Sequence, residues 1–130
     1  MVASAPRRVR ILVADDHPSI RENLRYLLND EDDFEVVGVA RDGGEALATT
    51  IALEPDVVVL DESMPVMPGS AVVAQLRERG VASRVVMYTS EPGVCERALA
   101  AGADRCVGKE QPMELLFAAI RECVPAPRRT

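Results

Sequence analysis

Short apolar runs alternate with helical patterns along the whole chain, and this alternation is the feature that most constrains the fold. Five runs rich in β-branched residues are typical of strands, at residues 9–14, 34–39, 57–60, 85–88 and 105–107. Their nearly continuous apolar character favours strands that are buried on both faces of a parallel sheet.

Each apolar run is followed by a segment with the spacing or the boundary residues of a helix. Pro18 suits a first helical position, where its missing N–H is harmless, and Ile20, Leu24, Leu27 and Leu28 then follow the spacing of one helix face. A second helix opens with a capping box of Asp42 and Glu45, and we expect Leu47 and Ile51 on its buried face. The other three helices are expected to begin near Gly69, Pro92 and Pro112.

Five strand–helix units in a row predict one α/β domain with a doubly wound parallel sheet. Right-handed crossovers place helices on both faces, and the strand order expected at this length is 2-1-3-4-5. We assign residues 9–124 to this domain, 1–8 to an N-terminal flank and 125–130 to a tail or linker stub. In such sheets ligands bind at the carboxyl ends of the strands, beside the switch in winding direction between strands 1 and 3.

Composition excludes several classes of function. The chain of 130 residues has 15 Lys and Arg against 21 Asp and Glu, a net charge of −6, and no Trp. We therefore expect no direct contact with nucleic acid or an anionic membrane. No apolar run is long enough to span a bilayer. The cysteines are odd in number, 3, and lack a Cys-x-x-Cys motif, so we expect Cys95, Cys106 and Cys123 to be reduced, small buried residues in a cytoplasmic protein.

Three carboxylates are predicted at the switch point. Asp15 and Asp16 end the first strand, and Asp61 ends the third. Such a cluster repels itself unless a cation neutralises it. Mg²⁺ prefers oxygen ligands and often joins one or two carboxylates to a phosphate group, so the pattern favours a Mg²⁺ site.

Two further polar residues point to a phosphoryl group beside that metal. Thr89 ends the fourth strand, and Lys109 follows the fifth. A hydroxyl donor and an ammonium would both stabilise phosphoryl oxygens. Asp61 is then the candidate nucleophile, since carboxylates can carry a covalent phosphoryl group.

Several separated motifs resemble those of the receiver domains of two-component response regulators. They are VADDHP from position 13, DESMPVMPG from position 61, Thr89-Ser90, AAGAD from position 100, and Lys109. The Asp-Asp-His-Pro run is most similar to the subfamily that often carries a helix-turn-helix output domain. The resemblance implies a flavodoxin-like fold, and an output domain outside this chain through which transcription is regulated.

The resemblance also implies a role for each site residue. Asp61 would accept a phosphoryl group from a partner histidine kinase. Asp15, Asp16, Asp61 and the backbone carbonyl of Ser63 would hold Mg²⁺, while Thr89 and Lys109 would bind the phosphoryl oxygens. Such a domain catalyses its own phosphorylation and dephosphorylation without conventional turnover, so whether it counts as an enzyme is left open. A homodimer is also left open.

Three positions depart from the family pattern. Cys106 stands where the fifth strand usually carries the Tyr or Phe that moves with the threonine, and Tyr88 should face away from Thr89. Glu62 replaces an apolar residue, and we expect its side chain to point to solvent. His17 is expected to cap the first helix or flank the site rather than to bind the phosphoryl group or the metal.

Other functions remain as alternatives. A pseudo-receiver, acting only as a phosphorylation-independent interaction module, is supported by Cys106 and Glu62. A Mg²⁺-dependent hydrolase would need a second carboxylate at position 63, where the chain has Ser63. A flavin phosphate would be repelled by Asp15 and Asp16.

Overall fold

The computed structural model describes residues 7–91 and 93–124, in which five strands alternate with five helices. The first half consists of β1 (Val9–Ala14), α1 (Pro18–Asn29), β2 (Phe34–Ala40), α2 (Gly43–Leu53) and β3 (Val57–Leu60). The second half consists of α3 (Gly69–Glu78), β4 (Arg84–Thr89), α4 (Val94–Ala101), β5 (Arg105–Gly108) and α5 (Met113–Cys123). Most of the expected N-terminal flank, the tail at 125–130 and the Pro92 helix start lie outside the described residues.

The five strands form one parallel sheet in the order β2-β1-β3-β4-β5, which confirms the predicted topology. Ala14 at the end of β1 is opposite Ala40 and Leu60, the ends of both its neighbours. The ends of β4 and β5 are also level, with Thr89 opposite Gly108. The register therefore brings the loops after β1, β3, β4 and β5 to one edge of the sheet.

Helices cover both faces of the sheet, as predicted. Ile11 and Val13 point to the face packed by α1 and α5, while Leu12 and Ala14 point to the face packed by α2, α3 and α4. All four side chains are essentially inaccessible to water. Burial on both faces explains why the strands read as continuous apolar runs. None of the described helices has the length and apolar character that crossing a membrane requires.

Helix α2 begins directly after Asp42, as predicted, but of the two residues expected on its buried face only Leu47 packs against the core. Asp42 accepts a hydrogen bond of 2.7 Å from the backbone N–H of Glu45, which confirms the capping role of Asp42. The reciprocal bond of a capping box is replaced, because the Glu45 side chain accepts from the backbone N–H of Arg41 at 2.9 Å. Ile51, however, is 44% exposed. The buried positions of α2 include Ala46 and Thr50, and one residue further along a helix turns the side chain by about 100°. Thr50 can be buried because its hydroxyl donates to the carbonyl of Ala46 at 2.7 Å.

The prediction of three reduced cysteines was wrong for two of them. Cys95 in α4 and Cys106 in β5 form a disulfide, with their Cα atoms 5.7 Å apart. The packing of α4 against β5 brings the two residues together, which spacing along the chain cannot reveal. Cys123 is a free, buried cysteine, as expected.

Candidate functional site

The ends of β1 and β3 place two carboxylates at the same level of the sheet. The backbone N–H of Asp61 donates to the carbonyl of Ala14 at 3.0 Å, so the ladder continues one residue past β3. Asp15 likewise extends β1 by donating to Ala40 at 3.1 Å. Gly69 fits closely here, because a Cβ at that position would overlap the carbonyl oxygen of Asp61. The start of α3 therefore passes directly against the residue at the centre of the site.

The structure brings the three predicted carboxylates together. Asp15, Asp16, His17 and Asp61 each present one ligand atom, and these atoms all lie within 4.8 Å of one another. Asp15 and Asp61 are almost fully buried, at 1% and 4% exposure. The Asp16 side chain is more open, at 31%. The cluster is thus enclosed on the protein side and open on the side of Asp16.

Two oxygens of this cluster are buried without a hydrogen-bond partner among the described residues, namely Asp16 Oδ1 and Asp61 Oδ2. A buried acceptor without a partner carries its full desolvation penalty. Carboxylate oxygens are the ligands that hard divalent cations such as Mg²⁺ prefer. The cluster could therefore hold a metal ion, and its chemistry suits Mg²⁺.

His17 lies beside the cluster, and its side chain does not cap α1. It is the N-cap residue of α1, but its ring makes no capping hydrogen bond. Its Nδ1 lies 3.2 Å from Asp15 Oδ1 and 3.0 Å from Asp16 Oδ1, the latter outside hydrogen-bonding geometry. The ring is 60% exposed. His17 therefore flanks the site at its open side, which is one of the two placements expected.

Lys109 is the positive charge inside the site. Its Nζ lies 2.9 Å from Asp15 Oδ2 and 3.3 Å from Asp61 Oδ1, and only 15% of its side chain is exposed. It is also the only lysine in the chain, since every other Lys or Arg position is arginine. A compact ammonium suits contact with two carboxylates at once. The presence of a single lysine is visible in the sequence, and it points to Lys109 independently of the position of this residue after β5.

Burial and charge act in opposite directions on Asp61. Its pKa is raised, first because burial penalises the charged form and then because Asp15 is negative, while Lys109 partly offsets both effects. Burial also opposes the charged form of Lys109, but the hydrogen bond to Asp15 and the nearby carboxylates outweigh it, so the pKa of Lys109 is raised. Lys109 therefore stays positive at neutral pH, and an added cation would favour the charged form of Asp61.

Thr89 and Ser63 are both connected to Glu91 at the rim. Thr89 is 2% exposed, and its Oγ1 accepts a hydrogen bond of 3.0 Å from the backbone N–H of Glu91. The exposed Ser63 donates through its hydroxyl to Glu91 Oε1 at 2.6 Å. The loops after β3 and β4 are thus joined at the edge of the sheet that carries the site.

Glu62 does not point to solvent, so that prediction was wrong. It is 6% exposed and accepts hydrogen bonds from the backbone N–H of Ser70 at 2.7 Å and from its hydroxyl at 3.0 Å. The free N–H groups in the first turn of α3 favour a negative acceptor there. Arg97 of α4 also donates to Glu62, at 3.2 Å. Glu62 therefore links the residue after Asp61 to both α3 and α4.

Tyr88 and Cys106 lie on opposite faces of the sheet. Tyr88 is buried among residues of the α1 and α5 face, and Cys106 packs on the other face. Burial raises the pKa of the Tyr88 hydroxyl. Tyr88 therefore faces away from the position that the family's aromatic would occupy, as the strand alternation predicted.

Comparison with known proteins identifies relatives over nearly the whole chain. A family model described as "Response regulator receiver domain" matches residues 11–121. The uncharacterized transcriptional regulatory protein YvfU of Bacillus subtilis is 38% identical over 122 residues, covering 92% of this chain and 61% of YvfU. The nitrate/nitrite response regulator protein NarL of Escherichia coli K12 is 34% identical over 115 residues, covering 86% of this chain and 53% of NarL. The chain thus spans little more than half the length of these relatives.

The architecture has close counterparts among solved structures. A two-component response regulator of the LuxR family from Aurantimonas superposes with a TM-score of 0.84 at 32% identity, over 88% of this chain and 84% of that one. The response regulator domain of Thermotoga maritima CheB superposes with a TM-score of 0.83 at 31% identity, over 89% and 96% of the two chains.

Proposed function

Because this chain belongs to the response regulator receiver domain family, we propose that it accepts a phosphoryl group on Asp61 from a phosphohistidine of a partner histidine kinase. The observation that carries the proposal is the unpartnered Oδ2 of Asp61, which lies in a cluster with Asp15 and Asp16 and within reach of Lys109. A nucleophile needs an oxygen that no donor occupies, and Asp61 Oδ2 has no hydrogen-bond donor within the described part of the chain.

In the transfer step, Asp61 Oδ2 attacks the phosphorus atom. An O–P bond forms as the P–N bond to the donor imidazole breaks, and the imidazole nitrogen takes up a proton. Lys109 and the Thr89 hydroxyl bind the phosphoryl oxygens that result. Mg²⁺, when bound by Asp15, Asp16, Asp61 and the carbonyl of Ser63, supplies positive charge that neutralises those oxygens.

The same residues would serve hydrolysis of the acyl phosphate. Water then attacks the phosphorus atom and gives up a proton to solvent, and the O–P bond to Asp61 breaks, which releases inorganic phosphate and returns the carboxylate. Ser63 and Glu91 share a hydrogen bond of 2.6 Å, and we expect this contact between the loops after Asp61 and Thr89 to limit the access of the water. The domain thus catalyses reactions of its own aspartate and does not turn over a separate substrate.

A groove beside Lys109 supports the approach of a protein donor. It has a volume of about 490 Å³ and lies between α1 and α5. Its apolar lining includes Ile20, Leu24 and Met113, and Ser19 and Asn23 add polar groups. A helix of the kinase that carries the phosphohistidine could rest here with its imidazole directed at the site.

Phosphorylation adds about −1.5 to −2 charges at neutral pH, and in the proposed cycle this charge draws Thr89 and its loop inward. The relatives include transcriptional regulators that are longer than this chain. The proposal therefore extends to regulation of transcription in the cytoplasm through an output domain, and a homodimer is left open.

The experiment is incubation with phosphoramidate and Mg²⁺, followed by intact-mass measurement. We expect one added phosphoryl group in the wild type, none when Mg²⁺ is chelated, and none in Asp61→Asn. Asp32→Asn, at an exposed position outside the site, is the matched control and should behave like the wild type. An unmodified wild type under every metal condition would instead favour the pseudo-receiver, for which the disulfide at Cys106 is the supporting observation.

A further inference from the structure

The disulfide between Cys95 and Cys106 joins helix α4 to strand β5, which pack against each other. It connects the first turn of α4 to the second residue of β5, across 11 residues of sequence. Both residues are only half-buried, so small reagents can approach the bond. Cys123 contrasts with them, because it is buried and burial raises the pKa of its thiol to about 11.

We propose that Cys95 and Cys106 form a reversible thiol–disulfide site that fastens α4 to β5 when oxidised. Low-molecular-weight disulfides are the oxidants, and dithiols are the reductants. The chemistry of this site does not depend on phosphoryl transfer. Its consequence for the surroundings of Asp61, given below, rests on the proposed function.

The oxidation is an exchange in two balanced steps. The thiolate of one cysteine attacks a sulfur atom of the small disulfide, whose S–S bond breaks and releases one thiolate. The second cysteine, after losing its proton, attacks the protein sulfur of the mixed disulfide. The Cys95–Cys106 bond forms, and the second small thiolate leaves. The two released thiolates take up the two protons and carry the two electrons lost by the cysteines.

Helix α4 is weakly packed, so the disulfide is expected to affect how readily this helix opens. Val94 and Ala98 are the buried residues of this eight-residue helix, and its N-cap residue, Gly93, has no side chain with which to cap it. An element with so little buried apolar surface opens locally at low free-energy cost. A covalent tie to the central sheet restricts that opening, since it reduces the freedom of the open form.

Helix α4 also connects this disulfide with the candidate site. Arg97, two residues after Cys95, donates to Glu62, which directly follows Asp61. On the strand side, Cys106 lies opposite Met87 in the sheet register and three residues before Lys109. Oxidation therefore fixes α4, which contacts the loop after Asp61. After reduction, α4 is held by packing and by the ion pair between Glu62 and Arg97, whose side chain is 62% exposed.

The test uses the wild-type protein equilibrated in buffers with varied ratios of oxidised to reduced glutathione. Free thiols are alkylated after acid quenching and unfolding, and intact mass and peptide mapping locate the remaining bond. We expect the bond between 95 and 106 to appear and disappear reversibly with the buffer ratio. Cys123 should be alkylated in every sample, and Cys123→Ser, the matched control, should show the same transition.

Hydrogen exchange then measures how far the disulfide restricts local opening of α4, and this measurement needs no phosphorylation. We expect amides of α4 to exchange about tenfold faster after reduction, while amides of α5 change little. The variants Cys95→Ser and Cys106→Ser should resemble the reduced wild type. If a variant fails to fold, the comparison of oxidised and reduced wild-type protein still tests the proposal.

Three outcomes would overturn the proposal. One is the absence of a 95–106 bond in the most oxidising buffer, and another is a bond that folded protein does not lose under dithiol. The third is equal exchange of α4 in the two states. A wild type that cycles between thiol and disulfide as expected but never gains a phosphoryl group would refute the proposed function and leave this site intact.

Discussion

Replacement of Lys109 by methionine is expected to lower the unfolding free energy of the metal-free protein by about 3 kcal/mol at pH 7. Lys109 contacts Asp15 at 2.9 Å and Asp61 at 3.3 Å, and both carboxylates are almost fully buried. Methionine preserves most of the side-chain volume but leaves these charges without their ammonium.

The Lys109→Met change is also expected to slow phosphoryl transfer about 100-fold, because one of the charges that stabilises the transferring group is lost.

The loss of stability in Lys109→Met should depend on pH in a defined direction. Burial already raises the pKa of Asp61, and loss of the ammonium raises it further. The folded variant then binds a proton at a pH where the unfolded chain has released it. Its stability is therefore lost as the pH rises through the folded-state pKa. We expect the deficit to be largest at pH 7 and above, and to shrink as the pH falls toward the ordinary range of aspartate.

Urea unfolding at several pH values, in the presence of a chelator, measures this deficit. Arg105→Met is the matched control, since Arg105 is exposed at the start of β5, the strand that Lys109 follows, and its contact with Glu122 is long, at 3.7 Å. We expect it to change stability by less than about 0.5 kcal/mol. Equal effects of the two substitutions would show that Lys109 does not neutralise the buried carboxylates.

Added Mg²⁺ is expected to stabilise the wild type by about 2.7 kcal/mol when its free concentration is 100 times the dissociation constant. The binding energy comes from neutralising the carboxylate cluster, in which Asp16 Oδ1 is buried without a hydrogen-bond partner among the described residues. Asp16→Asn should lose most of this stabilisation, because an amide replaces the more open of the carboxylates in the cluster.

Urea unfolding across a Mg²⁺ titration, at constant ionic strength, measures this linkage. Asp32→Asn removes the same charge from an exposed position outside the cluster, and it should retain the full wild-type increase. An equal Mg²⁺ response in Asp16→Asn and Asp32→Asn would mean that the ion acts elsewhere, and the proposed metal site would then be wrong.

Much of the fold could be predicted because its determinants are local. Continuous apolar runs marked the strands, and the right-handed crossover rule fixed where successive strands lie. Because strand ends in a parallel sheet share an edge, the sequence predicts that Asp15 and Asp61 lie close together. Their pairing with Lys109 follows from the same rule, since β5 ends on that edge too.

The errors arose where contacts between helices and loops decide the outcome. Glu62 was assigned to solvent because a charged residue after a strand is usually exposed. In the structure the first turn of α3 supplies Ser70 as its hydrogen-bond donor. The four-residue spacing of Leu47 and Ile51 predicts that both lie on the buried face, yet the buried positions of α2 include the smaller residues Ala46 and Thr50. The Cys95–Cys106 bond depends on how α4 sits against β5, which periodicity does not encode.

The most direct test of the central claim is to identify the phosphorylated atom. Protein treated with phosphoramidate and Mg²⁺ is reduced with borohydride, which converts an aspartyl phosphate into homoserine, and is then digested and sequenced by mass spectrometry. The account predicts homoserine at position 61 in the phosphorylated sample and aspartate there in the untreated one. Homoserine at position 15 or 16 in its place, or a phosphoryl group on His17 or Ser63 with position 61 unchanged, would contradict it.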